Sequence, residues 1–460
     1  MRLSEPIETS GYFWLPSAPD QRLGGILRVS ETGKTTVDVF GAFGGPAELL
    51  VNPVIRRPRI LGVIENGLVT LDGCLYAVKS ARFGTGLSTS TIHATTLIRD
   101  VHYDENEAIT LSRLRFSVDG LDEWLHVSGF RVDHKLGDDK VSMFFEKPED
   151  IVHELPHGMS LTFSFNGNMR SVLPITEATI TQKAFITLTS DTLRPLDQFV
   201  DIVRKLNNFL CFAIDETVSI DSLTGYSSEV TRTVRDGGPY DVPMPLYYES
   251  LPTSDAKPTI AYHHMLLTYR SIENRFTKIL CNWVNCYEAY EPTFDLYFSS
   301  KRIRYVEARF LWLAQGIETL HRRNSPGTAL AADEFQKLVS AIIQACPDEH
   351  KQWLTERMRY ANEISLRKRL RQMLDPFASL YGGSKTVTSF VGRVVDTRNY
   401  LTHYDESLAN RALRGEDLWN LCRKLEGLLQ LHFLLLIGLD ETVVSTISKD
   451  NFALREKLQI

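Results

Sequence analysis

Short runs of alternating apolar and polar residues, separated by polar turns, fill roughly the first 190 positions of the chain. Alternation with a period of two is typical of β-strands. Between two of these runs the pair Asn66-Gly67 predicts a tight hairpin. The predicted strands cover residues 24–29, 35–40, 59–64, 68–71, 89–98, 109–116, 123–131, 140–146, 160–165 and 176–189. Strands at such regular spacing predict a sandwich or a barrel.

The pattern changes over residues 191–300. Apolar residues at a spacing of about 3.6 predict an amphipathic helix from Pro195 to Ala213. A long loop rich in Gly, Pro and Ser follows at 236–258, and a second helix is predicted at 262–287. Two short strands, at 218–222 and 229–234, precede the loop.

From residue 301 to 460 the apolar spacing is helical throughout, which predicts a bundle of five or six helices. The predicted helices cover residues 301–321, 335–342, 348–360, 365–374, 384–404 and 415–439. The predicted fold class is therefore α+β multidomain. It comprises a β-rich, sandwich- or barrel-like domain at 1–190, a mixed α/β continuation with a connecting helix at 191–300, and an all-α bundle at 301–460.

Composition is that of a soluble globular protein, with 43% hydrophobic residues, 23% charged residues and a mean hydropathy of −0.15. The first residues lack the apolar core of a signal peptide, and the most apolar run, 428–439, is too short to span a bilayer. The six cysteines are scattered, which fits a reducing compartment. We therefore expect a cytoplasmic protein that does not enter the membrane.

The net charge of −6 gives the whole chain no attraction for nucleic acid, so any such site needs a local basic patch. Residues 351–375 supply one, with seven Lys and Arg residues against three Asp and Glu residues. The candidate RNA-binding residues there are Arg357, Arg359, Arg367, Lys368, Arg369 and Arg371, with Tyr360 as a ring on which an unpaired base could stack. The alternative is an ordinary solvated helix face.

The sharpest candidate for chemistry is Arg398-Asn399-Tyr400-Leu401-Thr402-His403, within the predicted helix 384–404. Asn399 and His403 are four residues apart and so lie on one helix face. A guanidinium that stays charged, close to an imidazole that titrates near neutrality, suits phosphodiester chemistry. The alternative is a surface cation and a solvent-facing histidine.

A metal site is the weaker hypothesis. His263, His264, Cys281 and Cys286 lie near one another in sequence, but the spacing is not that of a zinc site. Surface histidines and buried thiols are the alternative that we favour. We therefore predict no metal and no cofactor.

The predicted bundle resembles the HEPN superfamily, whose ribonuclease members carry an Arg-x4–6-His motif. Arg398 to His403 has this form, and the segments 307–310, 318–321 and 362–367 and the closing leucine-rich helix look like the ApeA-type HEPN domain. This resemblance covers roughly residues 301–440. The β-rich front is similar in plan to the N-terminal domain of ApeA-like proteins.

The resemblance implies a metal-independent endoribonuclease of bacterial anti-phage defence (abortive infection) that cleaves tRNA or another structured RNA and leaves a 2′,3′-cyclic phosphate. It also implies a homodimer formed through the HEPN domain. His403 would serve as base or acid, Arg398 would stabilise the phosphorane, and Asn399 would orient His403 or the phosphate. The alternative is a HEPN sensor or adaptor without activity. The sequence leaves open whether a phage-derived trigger acts on the N-terminal domain.

Overall fold

The computed structural model describes residues 1–45, 54–80, 88–134, 141–169, 176, 178–233, 238–250, 254, 256–325 and 327–459. Its contacts divide the chain into two compact units, Met1–Thr277 and Lys278–Ile460. The mixed continuation that the sequence predicted at 191–300 is divided between these two units. Residues 140, 177 and 234, which belong to predicted strands, and part of the predicted loop 236–258 lie outside the described residues.

The first unit opens with a closed barrel of antiparallel strands. These strands are β1 (Ile7–Trp14), β2 (Leu23–Val29), β3 (Thr35–Val39), β4 (Arg56–Ile64), β5 (Gly67–Ser80) and β6 (Thr89–Arg99). They run in the order β6-β3-β2-β1-β4-β5, and the ring closes because β5 also pairs with β6. The predicted hairpin at Asn66-Gly67 is confirmed, since Ile64 pairs with Gly67 across the turn. Of the two predicted architectures, the barrel is therefore the one present in this part of the unit.

The sheet continues beyond the barrel, and two ribbons lie outside it. The remaining strands of the unit are β7 (Thr110–Val118), β8 (Phe130–His134), β9 (Val141–Phe145), β10 (Ile151–Leu155), β11 (Met159–Met169), β12 (Ile180–Pro195), β13 (Ile220–Tyr226), β14 (Thr231–Thr233), β15 (Pro239–Asp241) and β16 (Met244–Tyr247). The order β10-β11-β12-β7-β13-β16 joins the barrel where β16 pairs with β6. The pairs β8-β9 and β14-β15 form separate two-stranded ribbons. Strands from the expected middle segment thus complete the first unit.

Three helices pack against this second half of the sheet. They are α1 (Leu121–Leu125), α2 (Leu196–Ile214) and α3 (Tyr269–Ile272). The strand predicted at 123–131 was wrong at its start, because the apolar side chains of Leu121, Trp124 and Leu125 are buried together at helical spacing. The Trp124 ring is fully buried, and its indole N–H donates to the Leu267 carbonyl at 2.8 Å.

The second unit is helical, as predicted. After α4 (Phe276–Arg302), which begins at the end of the first unit, its helices are α5 (Val306–Asn324), α6 (Ala332–Ala345), α7 (Asp348–Met358), α8 (Leu366–Leu374), α9 (Ser384–His403), α10 (Gly415–Leu436), α11 (Glu441–Asp450) and α12 (Phe452–Leu458). The prediction of one helix at 262–287 is wrong in its bounds. Thr268 caps the short helix α3, and the long helix α4 begins at Phe276 and ends at Arg302. No helix in the described ranges combines the length and hydropathy that a bilayer span requires.

Helix α10 forms the centre of this unit, with a nearly continuous buried face that packs against α5 and α12. It also carries a buried carboxylate. Glu426 is 2% exposed and accepts ion pairs from Lys301, Arg309 and Lys457 at 3.2, 2.5 and 2.8 Å. Burial opposes its ionisation, but the three cations outweigh this and hold the pKa of Glu426 well below its usual range.

A second buried ionic group ties α8 to the segments on either side of α6 and α7. Arg369 is 1% exposed, and its guanidinium lies 3.1 Å from His321 Nδ1, 3.5 Å from the Gly327 carbonyl and 3.6 Å from the Glu363 carboxylate. Gly327 has a positive φ of 64°, and a Cβ there would collide with the Arg369 guanidinium. Burial lowers the pKa of His321, and the charge of Arg369 acts in the same direction.

Replacing Arg369 by alanine should lower the free energy of unfolding of the helical unit by about 3 kcal/mol, because the buried His321 ring and Gly327 carbonyl lose a donor and Glu363 loses an ion-pair partner. The matched change Arg371→Ala, at an exposed position of the same helix, should alter it by less than about 0.5 kcal/mol. Urea unfolding followed by far-ultraviolet circular dichroism measures both. Equal effects of the two changes would contradict a structural role for Arg369.

Candidate functional site

Helix α9 places the Arg398–His403 motif at the edge of a buried helix face. Its buried residues are Val387, Phe390, Val391, Val394 and Thr397. Arg398 lies one turn after Val394, at the border of this face, and is half-buried. Asn399 is also half-buried, whereas His403, the last residue of the helix, is exposed. The hydrophobic periodicity thus sets which motif side chain enters the protein and which faces solvent.

The Arg398 side chain lines a cavity of about 460 Å³. The opposite wall is one face of α5. The lining residues are Leu311, Ala314, Gln315, Glu318, Thr319, Arg322, Leu366, Arg398 and Thr402. Thr402 is fixed by a hydrogen bond from its hydroxyl to the Arg398 carbonyl at 2.7 Å. The cavity therefore lies between α5, the start of α8 and the end of α9, all in the second unit.

The two arginines of the cavity differ in their charge partners. Arg322 binds Glu318 at 3.1 Å and Glu363 at 2.6 Å. The hydrogen bond from Arg322 lowers the pKa of Glu363, so this carboxylate stays charged and compensates the arginine. Arg398 forms no ion pair with any carboxylate in the described ranges, and its hydrogen-bond acceptor is the neutral Asn399 Oδ1 at 3.3 Å. Arg398 is therefore the cation of this cavity that is available to an anion.

The backbone turns sharply directly after His403. Tyr404 takes a left-handed conformation with φ of 51° and ends the helix. The carboxylate of Asp405 accepts hydrogen bonds from the Ser407 hydroxyl at 2.7 Å and the Ser407 amide at 3.0 Å. These bonds lower the pKa of Asp405, and His403 adds a smaller effect in the same direction. The imidazole of His403 makes no hydrogen bond with the residues that the structure describes, so both ring nitrogens can meet a substrate.

The structure gives Asn399 a different neighbour from the one that helical spacing suggests. Its carboxamide oxygen accepts from Arg398, and no hydrogen bond joins it to His403 within the described ranges. Asn399 is therefore placed to orient the guanidinium.

The predicted basic patch is exposed for the most part. Arg357, Arg359, Tyr360, Lys368 and Arg371 are exposed, and the Arg359 guanidinium lies 5.5 Å from the Tyr360 ring centroid. The half-buried Arg367 faces the motif helix, since its Nη1 lies 3.7 Å from the position that a Cβ on Gly392 would occupy. Helix α8 thus brings one predicted cation against α9.

Arg369 departs from the prediction. Its position among cations suggested a surface contact, but the side chain is buried and bound to His321, Gly327 and Glu363. A buried guanidinium whose donors are occupied by the protein cannot reach a phosphate. Arg369 is therefore a structural residue and does not belong to the predicted RNA-binding surface.

No group of three or more His, Cys, Asp or Glu side chains in the described part of the chain could hold a metal ion. His263 and His264 are exposed, and Cys281 and Cys286 are partly buried. Burial raises the pKa of both thiols, which disfavours the thiolate form that binds zinc.

Sequence reasoning missed the residues that face Arg398 from α5. Leu311, Gln315, Glu318 and Arg322 recur every three or four positions and therefore share one helix face. That spacing was visible in the sequence. Nothing local, however, indicated that this face would lie opposite the motif.

Comparison with protein families places the two units. Residues 8–283, more than half of the chain, match the family model of ApeA N-terminal domain 1, and residues 311–443 match that of the Apea-like HEPN domain. No curated protein and no solved structure was found to match. The second match contains Arg398, Asn399 and His403 and all of the residues that line the cavity. The resemblance seen in the sequence is confirmed, and the chain belongs to the ApeA family of proteins with a HEPN domain.

Proposed function

We propose that this protein is a metal-independent endoribonuclease whose site is built from Arg398, Asn399 and His403. The observation that carries the proposal is the guanidinium of Arg398 in a cavity, which has no carboxylate partner in the described part of the chain and lies five residues before an exposed imidazole. HEPN domains are generally of ribonuclease type, and this family is consistent with an anti-phage nuclease.

The proposed reaction uses the RNA's own 2′-hydroxyl as nucleophile. His403 accepts the 2′-OH proton while the 2′-oxygen bonds to phosphorus. Arg398 donates to the non-bridging oxygens and stabilises the charge that grows on them. The bond from phosphorus to the 5′-oxygen breaks, that oxygen takes up a proton, and the products are a 2′,3′-cyclic phosphate and a 5′-hydroxyl. No step of this proposed reaction needs a metal ion.

We further propose that the active form is a homodimer through the HEPN unit. One chain supplies a single motif histidine, whereas the reaction moves two protons, one to a base and one from an acid. His403 of the partner subunit would supply the second proton carrier. The exposure of His403 at the end of α9 supports this arrangement, because an exposed residue can face a second copy. HEPN domains generally bind RNA and dimerise.

The biological setting that we propose is abortive infection, with tRNA or another structured RNA as the substrate. Family membership supports this setting, and the exposed cations near the motif helix support contact with a polyanion.

We propose that a phage-derived trigger acts on the first unit. The β8-β9 ribbon of this unit exposes Val132, Val141, Met143 and Phe144, each at least 48% exposed. Exposed apolar side chains in such a cluster are typical of surfaces that bind another protein.

Arg398→Ala and His403→Ala should each reduce RNA cleavage by at least about 100-fold. The first change removes the charge stabilisation of the transition state, and the second removes the group that transfers the proton. Arg393→Ala is the matched control, since Arg393 is an exposed arginine of the same helix outside the motif and the cavity lining. Total bacterial RNA is incubated with each variant in EDTA, and the new ends are tested for 2′,3′-cyclic phosphate.

Cleavage that survives both changes, or that requires Mg²⁺, would contradict the proposed site. If no variant cleaves, extract from phage-infected cells is added to supply the trigger. Continued inactivity of the wild type would favour the alternative, a HEPN adaptor that binds RNA without turnover.

Exchanging Arg357, Arg359, Lys368 and Arg371 for alanine should weaken RNA binding and flatten its dependence on salt. The logarithm of the binding constant decreases as the logarithm of the salt concentration rises. For each phosphate of a single strand that the variant no longer neutralises, the magnitude of this slope should decrease by about 0.7. Filter binding to the His403→Ala protein at several salt concentrations measures this slope. Arg323 and Arg411, exposed arginines outside this patch, provide control substitutions. An unchanged slope would contradict the RNA-binding surface.

A further inference from the structure

We infer that the cavity beside Arg398 is a nucleobase pocket that selects the base next to the cut, with Gln315 as the residue that reads it. The inference rests on the proposed ribonuclease function, because it takes the phosphate on Arg398 as the point from which the base enters the cavity.

The size and lining of the cavity fit a flat ring with polar edges. Its volume of about 460 Å³ is many times the space of one water molecule and lies within the range of small-ligand sites. Leu311, Ala314 and Leu366 supply apolar surface for the ring faces. Gln315 and Glu318 supply hydrogen-bonding groups for the ring edge. Unpaired bases are recognised by this combination of apolar contact and edge hydrogen bonds.

The charge balance argues against a second phosphate in the cavity. Arg322 is compensated by Glu318 and Glu363, so it adds no net positive charge to the cavity. Arg398 has no carboxylate partner among the described residues and remains the local excess of charge. A single phosphate on Arg398, with an uncharged base extending between α5 and α8, matches this distribution.

Gln315 has the free hydrogen-bonding capacity that base reading requires. It is exposed at the cavity and forms no hydrogen bond within the described residues. Its carboxamide offers both a donor and an acceptor. Glu318 binds Arg322 through Oε1, which leaves Oε2 to accept from a base N–H. Two adjacent groups, one that both donates and accepts and one that accepts, can distinguish one base edge from another.

The experiment is sequencing of the cut sites in a random-sequence RNA pool, with infected-cell extract added if the enzyme is silent alone. The wild type should prefer one base beside the cut by at least about 5-fold. Gln315→Leu keeps the approximate size of the side chain but removes its hydrogen bonds, and should reduce the preference below about 2-fold. Gln315→Glu replaces the donor by an acceptor and should move the preference to a different base. Gln336→Leu, at an exposed glutamine of α6, is the matched control and should keep the wild-type preference.

Cleavage with no base preference, or with a preference that both Gln315 variants retain, would overturn the pocket and leave the proposed ribonuclease intact. Binding of the four nucleoside 3′-monophosphates, measured by calorimetry, covers the case in which no cleavage occurs. Selective binding that disappears in Gln315→Leu would support the pocket although the proposed function had failed. Equal or absent binding of all four, together with no cleavage, would overturn both.

Discussion

The interaction on which the candidate site depends is the sharing of Glu363 between Arg322 and Arg369. Arg322 approaches this carboxylate from α5 at 2.6 Å, and Arg369 approaches it from α8 at 3.6 Å. Glu363 follows Asn362, whose backbone and side-chain oxygens accept hydrogen bonds from the amides of Ala329 and Leu330. The segment before α6 and the segment after α7 are therefore joined here. Arg322 and Arg369 therefore both have carboxylate partners, whereas Arg398 has none among the described residues. The packing of the helices thus leaves Arg398 as the cation of the cavity that is available to an anion.

Much of the helical unit could be predicted from sequence because its helices are long and their apolar spacing is regular. The bounds of α9 and α10 lie close to the predicted ones for this reason. The motif was equally accessible, since Arg398, Asn399 and His403 lie within six residues. The opposite wall of the cavity could not be predicted from the sequence, because Gln315 and Glu318 come close to Arg398 only when α5 packs against α9. The prediction for Arg369 was wrong for a related reason. Its neighbours in the sequence are cationic, and nothing in them indicates that its side chain is buried against Gly327.

The first unit shows the same limit in β-structure. Local alternation found most strands, but pairing between β16 and β6, and between β13 and β7, joins residues far apart in the chain. The change from strand to helix patterns therefore suggested a domain boundary near residue 190. The contacts within the first unit instead continue to Thr277. The misread segment at 123–131 has a comparable cause. Trp124 and Leu125 are apolar enough for a strand, but their burial together with Leu121 stabilises a single turn of helix.

The contrast between Arg398 and His403 indicates how such a site could be kept incomplete in one chain. Arg398 is half-buried and oriented by Asn399, so the cation that would stabilise the transition state is already in place. His403 is exposed at a helix end, where packing does not fix its ring, and nothing in the described residues orients it. General acid–base catalysis requires the imidazole within hydrogen-bond reach of the proton that it moves. If a second subunit or the RNA orients His403, then assembly rather than folding completes the candidate site, and the proposed activity can be regulated without any change in the cavity.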